Sequence, residues 1–125
     1  MFKQVTLMKR RPGLTMEEFI DRYENHHAKL GEELFTEARR LVRRYVQPER
    51  NPITGQVIEL DFDVVMEIWW ASRADFETAM KQLTISHRLP AIRESGEKLF
   101  ASHSNPTFTV TEYDSDMGTD WSRLL

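Results

Sequence analysis

The chain has 125 residues, of which 40% are hydrophobic and 30% are charged, with no cysteine and a formal net charge of -3. These values are typical of a single soluble domain and exclude disulfides and thiolate sites, and the negative charge argues against nucleic acid as the main partner. No apolar run reaches the roughly 20 residues that cross a bilayer, and the N-terminus lacks the apolar stretch of a secretory signal, so we expect no membrane association and a cytoplasmic location.

The first elements are a strand and an amphipathic helix. Residues 2–9 carry apolar side chains at alternate positions and end at the turn sequence "RRPG", which predicts a strand. Thr15 is followed three residues later by Glu18, the capping-box pattern that begins a helix. Apolar or ring-bearing residues then recur at three- and four-residue spacing, which predicts one buried stripe along the helix. The stripe consists of Met16, Phe19, Ile20, Tyr23, His27 and Leu30.

The middle of the chain predicts a further helical piece and two strands. Residues 32–41 have helical spacing after Gly31, and residues 42–50 are typical of a second strand. Residues 62–72, "FDVVMEIWWAS", are rich in β-branched and aromatic side chains and predict a third strand. Because successive side chains of a strand point to opposite faces, two sets alternate along it. One set is Val64, Met66, Ile68 and Trp70, and the other is Asp63, Val65, Glu67 and Trp69.

The last third predicts two helices, a strand and a tail. Ser72 is a suitable N-cap for the second main helix, and Pro90 is typical of the first turn of a short helix. Residues 107–113, "TFTVTEY", alternate like a fourth strand. Residues 114–125 predict an irregular C-terminal tail, in which Trp121 could dock on a partner chain.

The resulting element order, βαββαβ, predicts an α+β fold over residues 1–113. It is the ferredoxin-like arrangement, in which two helices cover one face of a four-stranded antiparallel sheet. The other sheet face then needs a cover. A second copy of the chain can supply it by packing sheet on sheet, which closes an α+β barrel around an interior cavity. We therefore expect a homodimer.

Three segments resemble, in this order, the EthD-like family of dimeric α+β barrel proteins: "LMKRRPGLTMEEFIDRYENHHAKL", "RRYVQ" and "MEIWWASRADFETAM". The similarity extends from about Val5 to Glu112. It implies a cavity without a cofactor that accepts small hydrophobic or aromatic molecules, as in relatives with roles in ether degradation, polyketide tailoring and lactone isomerisation. The region before "RRYVQ" and the segment "RESGEKLFASHSN" depart from the family pattern. Both border the expected cavity, so the resemblance does not identify the substrate.

Two adjacent histidines in the first helix are the leading candidates for chemistry. Neighbouring positions on a helix point about 100 degrees apart, so His27 lies on the buried stripe and His26 at its edge. An imidazole titrates near neutral pH and can act as a general acid or base. The resemblance links the family's histidine to His27, with His26 as an additional residue. The alternative to a catalytic role is that His27 is a structural histidine of the core or of an interface and that His26 is a surface residue.

Further candidates come from the strands. Glu67 and Trp69 should point away from the helices, where a carboxylate could act as a base and the indole could stack on a substrate. The alternative for Glu67 is a salt bridge to Arg43 or Arg44. Tyr45 could hydrogen-bond a substrate carbonyl, or it could be a structural residue with a solvated hydroxyl.

Three more residues complete the candidate set. Tyr23 could polarise a substrate oxygen, and the loop residues His87 and His103 could contact a substrate from a lid or could simply be solvated. A metal site is not expected, because adjacent helical histidines diverge and no chelating spacing is present.

Together these features predict a cofactor-independent lyase or isomerase. His27 or His26 would move a proton next to a carbonyl of a small hydrophobic or aromatic substrate, Tyr45 and Tyr23 would polarise the oxygen, and Glu67 would orient the histidine. Two alternatives remain: a non-catalytic protein that binds a hydrophobic metabolite, and a heme-handling monooxygenase.

Overall fold

The computed structural model describes residues 1–103 and 105–118, so Trp121 and its predicted docking lie outside the described residues. The described strands and helices follow one another in the order β1 (Phe2–Met8), α1 (Met16–Arg22), a π-helical turn (Tyr23–His27), α2 (Ala28–Leu34), β2 (Arg40–Tyr45), β3 (Val64–Trp70), α3 (Arg73–Leu83), α4 (Leu89–Leu99) and β4 (Thr107–Thr109).

The four strands form one antiparallel sheet in the order β2-β3-β1-β4. The helices cover one of its faces, since Phe19 of α1 and Leu99 of α4 share a buried cluster with Val64 of β3. This is the predicted ferredoxin-like α+β fold. Within residues 1–103 and 105–118, no helix is long and apolar enough to cross a membrane.

Local signals in the sequence place the helix starts correctly. The Glu18 amide donates to Thr15 Oγ1 and the Thr15 amide donates to Glu18 Oε1, both over 3.1 Å, so the capping box is formed. Ser72 caps α3 by accepting from the Asp75 amide. Both caps satisfy backbone donors that the first helical turn leaves without partners.

The helical piece predicted over residues 32–41 extends too far: only residues 32–34 are helical. The helix ends at Leu34, and β2 begins at Arg40, two residues earlier than expected. The amide of Arg39 already donates to the Trp69 carbonyl of β3 over 2.7 Å. Pairing with the central sheet therefore overrides the helical spacing of this segment, as tertiary context often does.

The fourth strand is shorter than predicted. Only Thr107–Thr109 pair with β1, whereas residues 107–113 were expected to do so. Beyond Thr109, a side-chain contact joins this segment to β1: the Lys3 ammonium lies 2.8 Å from the Glu112 carboxylate. Residues 110–118 are exposed.

The two faces of β3 differ as its alternating pattern predicts. Val64, Ile68 and Trp70 are at most 1% exposed on the helix side. Val65, Glu67 and Trp69 are half-buried on the opposite side, which we call the open face. By strand pairing, the open face comprises Lys3, Val5, Leu7, Arg40, Val42, Arg44, Val65, Glu67, Trp69 and Phe108.

Removing the cap of α1 tests how much this helix start contributes. We expect Thr15→Ala to lower the free energy of unfolding by about 1 kcal/mol, because the Glu18 amide loses its acceptor. Urea unfolding followed by circular dichroism measures the difference. The matched control is Thr78→Ala on the exposed side of α3, which should leave the free energy of unfolding unchanged. An equal loss in both variants would contradict a specific capping role.

Candidate functional site

The two histidines lie in a π-helical turn. The Ala28 amide donates to the Tyr23 carbonyl five residues earlier, so the helix is wider here than an α-helix. Such turns are rare in proteins, and those that occur are often found at functional sites. The turn carries His27 inward, where it is 9% exposed, and leaves His26 exposed. The predicted division between an inner and an outer histidine is therefore present in the fold.

His27 is held by one hydrogen bond and two aromatic rings. Its Nδ1 lies 2.9 Å from the hydroxyl oxygen of Ser95 on α4. The rings of Tyr23 and Phe100 pack edge to face against the imidazole, with centroids 5.0 and 5.2 Å away. The ring is thus fixed in position and orientation, and because the Ser95 hydroxyl can either donate or accept, this contact is compatible with both neutral tautomers.

Burial keeps His27 uncharged. It lowers the pKa of the imidazole to about 4, and the neighbouring His26 lowers the pKa in the same direction. Burial raises the pKa of Tyr23 well above its ordinary value, so this phenol remains a hydrogen-bond donor. At neutral pH the pair consists of a neutral imidazole and a neutral phenol.

A small cavity, which we call the inner cavity, lies beside these two residues. Its volume is about 30 Å³, enough for a water molecule, and it is lined by Tyr23, His27, Ala28, Gly31, Phe35, Leu41, Met66 and Ile92. In its present form it is too small for a porphyrin or for an aromatic substrate, so either would have to displace side chains of the lining. Apolar side chains form most of this lining.

The Nε2 atom of His27 and the hydroxyl of Tyr23 have no protein partner among residues 1–103 and 105–118. In the same residues, no fully buried side-chain nitrogen or oxygen is left without a hydrogen bond. Both atoms must therefore be reached by solvent, and their residues share the inner cavity. The site consequently offers one unpaired imidazole nitrogen and one unpaired phenol next to apolar walls.

Tyr45 lies near this site, but its hydroxyl is already engaged. It donates to the carboxylate of Glu24, which also accepts two hydrogen bonds from Arg43. Arg43 holds the pKa of Glu24 below its usual range, while burial and Glu24 raise the pKa of Tyr45. The Tyr45 ring packs edge to face on Tyr23. Tyr45 thus braces Tyr23 and has no free hydroxyl for a substrate carbonyl.

Glu67 lies on the open face, across the sheet from His27, so the expected orientation of His27 by Glu67 is not formed within the chain. Its carboxylate pairs with Arg44, one of the two alternatives suggested by the sequence. It also accepts from the Trp69 indole nitrogen over 2.8 Å. Lys3 and Arg40 lie 4.0 and 4.7 Å from the Trp69 ring centroid, so a stacking substrate would compete with these cations.

The other two histidines lie apart from the inner cavity. His87 and His103 are exposed, and His103 Nε2 is 3.5 Å from a carboxylate oxygen of Glu97. In the described part of the chain, no group of three or more His, Asp or Glu residues could hold a metal ion.

A larger depression of about 430 Å³, which we call the outer groove, runs between the α1 and π-turn segment and α4. It is lined by Asp21, Arg22, Asn25, His26, Ser95, Lys98 and Leu99. Ser95 connects the two sites, because it lines the outer groove and bonds the histidine of the inner cavity. Sequence reasoning missed Ser95 and Glu24. Ser95 is 68 residues from His27, and no local pattern joins them.

Comparisons with known proteins agree with this architecture. Residues 11–90 match the model of the EthD domain. An ethyl tert-butyl ether D (EthD) family protein from Bacillus halodurans is 16% identical, with 90% of this chain and 100% of that chain covered and a TM-score of 0.59. A NIPSNAP domain protein from Burkholderia xenovorans is 11% identical, with 96% and 100% covered and a TM-score of 0.54.

A third solved structure, from Bacteroides fragilis, is described as a dimeric protein of unknown function with a ferredoxin-like fold. It is 13% identical, with 87% of this chain and 93% of that chain covered and a TM-score of 0.52. At these identities the solved structures show the fold alone. No curated protein matches the chain significantly.

The depressed pKa of His27 makes stability depend on pH. Between the ordinary value of 6.5 and about 4 the unfolded chain binds a proton that the folded chain does not. The free energy of unfolding should therefore fall as the pH drops from 6.5 to 4, by roughly 3 kcal/mol at most. His27→Gln should remove this part of the pH dependence.

Urea unfolding at several pH values measures the effect, and the NMR titration of the His27 ring reports its pKa directly. The matched control is His87→Gln, which removes an exposed histidine. A normal titration of His27 near pH 6.5 would contradict the buried, neutral state.

Proposed function

The chain belongs to the EthD family, and we propose that it is a cofactor-independent lyase or isomerase acting by proton transfer at His27. Its substrate is a small hydrophobic or aromatic carbonyl compound. The observation that supports this proposal is the buried, uncharged imidazole of His27, which is anchored at Nδ1 by Ser95, has no protein partner at Nε2 among the described residues, and belongs to the lining of a chiefly apolar cavity.

The proposed step begins with Nδ1–H of His27 donating to Ser95, which leaves the lone pair of Nε2 free. Nε2 takes a proton from the carbon next to the carbonyl, and the electrons of the broken C–H bond move to the oxygen as an enolate. The Tyr23 hydroxyl donates a hydrogen bond to this oxygen. The imidazolium then returns the proton to another carbon in an isomerisation, or to a leaving group in an elimination.

A general base is most effective when its pKa lies near the working pH, so the lowered pKa makes His27 a weak base and restricts the substrates that this proposal allows. A weakly basic imidazole is matched to a carbon whose proton is already acidic, such as one activated by an aromatic ring or by a second carbonyl. The resulting imidazolium is a strong acid and returns its proton readily. Apolar walls suit an uncharged reacting group and limit the access of water.

The remaining candidate residues take indirect roles in this proposal. Tyr45, with Glu24 and Arg43, positions Tyr23, and Glu67 with Trp69 belongs to the open face. His26 faces the outer groove, while His87 and His103 lie in loops where they would meet only a bulky ligand. A non-catalytic binding protein is the second candidate, because the inner cavity is small and chiefly apolar.

Exchange of carbon-bound hydrogen tests proton transfer without the natural substrate. We expect the protein to accelerate deuterium uptake at the activated carbon of 2-tetralone in heavy water, measured by proton NMR. His27→Gln should reduce the acceleration at least about a hundredfold, because a general base typically contributes that much. Tyr23→Phe should reduce it as well.

The control His87→Gln should exchange at the wild-type rate. Equal exchange by wild type and His27→Gln would contradict the proposal. Binding of 2-tetralone that shifts the His27 resonance without any acceleration would favour the binding-protein function instead.

We further propose that two copies pack through the open face. Six of its side chains are aliphatic or aromatic, namely Val5, Leu7, Val42, Val65, Trp69 and Phe108, and the charged residues Lys3, Arg40, Arg44 and Glu67 lie among them. The similarity to a protein described as dimeric supports this arrangement. Sheet-on-sheet packing would remove these side chains from water, which is favourable.

Light scattering at micromolar concentration should give about twice the chain mass of 14.8 kDa. Val65→Arg places a charge in the middle of the open face and should yield a monomer, because an unpaired charge would be buried. Thr78→Arg on the exposed side of α3 is the matched control and should remain dimeric. A monomeric wild-type protein would contradict the proposal.

A further inference from the structure

The outer groove has the dimensions of a ligand site. Its volume of about 430 Å³ falls within the range of small-molecule pockets. Leu99 and Ser95 are buried at its floor, 2% and 6% exposed. The aliphatic parts of the long charged side chains form its walls, as such side chains commonly do. A molecule with a flat or chain-like apolar part can therefore lie between the π turn and α4.

The charges around the outer groove are not balanced. The Arg22 side chain has no hydrogen bond or ion pair within residues 1–103 and 105–118, although its charge interacts with the carboxylate of Glu18 one turn earlier. Lys98 meets Glu94 at 3.8 Å, with both side chains about 70% exposed, which is a weak contact. The one acid in the lining, Asp21, already accepts from Asn25 over 2.8 Å. Because a hydrogen bond from a neutral amide leaves the charge of Asp21 in place, the lining has an excess of one positive charge beside the buried Leu99, in a chain whose net charge is negative.

A second large depression, of about 500 Å³, provides a contrast. It lies at the end of β1 and also contains basic residues. Its arginines are engaged, however, because Arg10 approaches Asp63 and Arg11 donates to the Glu97 carbonyl. Glu59 adds a further acid to its lining. Lys9 of this second depression has no ion pair within residues 1–103 and 105–118, so the contrast between the two depressions depends on their arginines: Arg10 and Arg11 are engaged, whereas the Arg22 side chain of the outer groove forms no hydrogen bond.

We infer that the outer groove is a second binding site, separate from the inner cavity, for a small amphipathic monoanion such as an aromatic carboxylate or sulfonate. The apolar part lies over Leu99, and the anionic group lies between Arg22 and Lys98. Ser95 at the floor connects this site to His27, because its hydroxyl is the partner of Nδ1. An occupant that competes for this hydroxyl changes the environment of His27 without entering the inner cavity.

Two fluorescent probes separate charge from hydrophobicity. The anion 8-anilinonaphthalene-1-sulfonate should bind the wild-type protein more tightly than uncharged N-phenyl-1-naphthylamine does. Increasing salt should lower the affinity for the anion and leave the affinity for the uncharged probe unchanged. The double variant Arg22→Gln with Lys98→Gln should bind the anion about tenfold more weakly, since each exposed charge contact contributes little by itself. Its affinity for the uncharged probe should not change.

The matched control is Lys9→Gln with Arg11→Gln, which removes two positive charges from the other depression. It should bind both probes as the wild type does. Both double variants alter exposed side chains, and circular dichroism checks their folding. Adding the anion to the wild-type protein should shift the NMR resonances of His26 and His27.

An unchanged affinity for the anion in the first double variant, or an equal loss in both, would overturn the inference. So would a complex in which the resonances of His26 and His27 do not move. These measurements need no turnover, so their failure is separate from a failure of proton transfer at His27.

Discussion

An edge-to-face cluster of rings is the contact on which the site depends. Phe19, Tyr23, Tyr45, His27 and Phe100 pack with centroids 5.0 to 6.1 Å apart. Together they join α1, the π turn, β2 and the end of α4. Edge-to-face contacts restrict ring orientation as well as distance. The cluster therefore both buries the imidazole and determines the direction in which it points.

Polar contacts on two sides of the π turn complete this arrangement. Glu24 is held by Arg43 and Tyr45 of β2, and His27 is held by Ser95 of α4. A widened helical turn flanked by such contacts is anchored to both the sheet and the last helix. Burial then makes charging of the imidazole unfavourable. Fixed orientation and an uncharged ring are two properties that the proposed proton transfer at Nε2 requires.

The sheet separates two kinds of chemistry. Met66 of β3 lines the inner cavity, whereas its neighbour Glu67 lies on the open face with Arg44. Residues adjacent in sequence thus belong to different surfaces, since strand side chains alternate. The apolar helix face provides desolvation, and the mixed open face suits contact with a second chain. Glu67, which the sequence suggested as the group that orients His27, therefore lies on the opposite side of the sheet from it.

The sequence by itself determined the fold class, the helix starts at Thr15 and Ser72, and the two faces of β3. These features depend on side chains within a few residues of one another, whose hydrogen bonds and alternation are local. Only the tertiary structure decided that the helix ends at Leu34, that Glu67 pairs with Arg44, and that Ser95 holds His27. Those outcomes depend on which segments meet across the sheet and between helices, and distant partners leave no periodic signal in the chain. The inward direction of His27 was foreseen from spacing, but its uncharged state arises mainly from burial, which only the packing of distant rings around it produces.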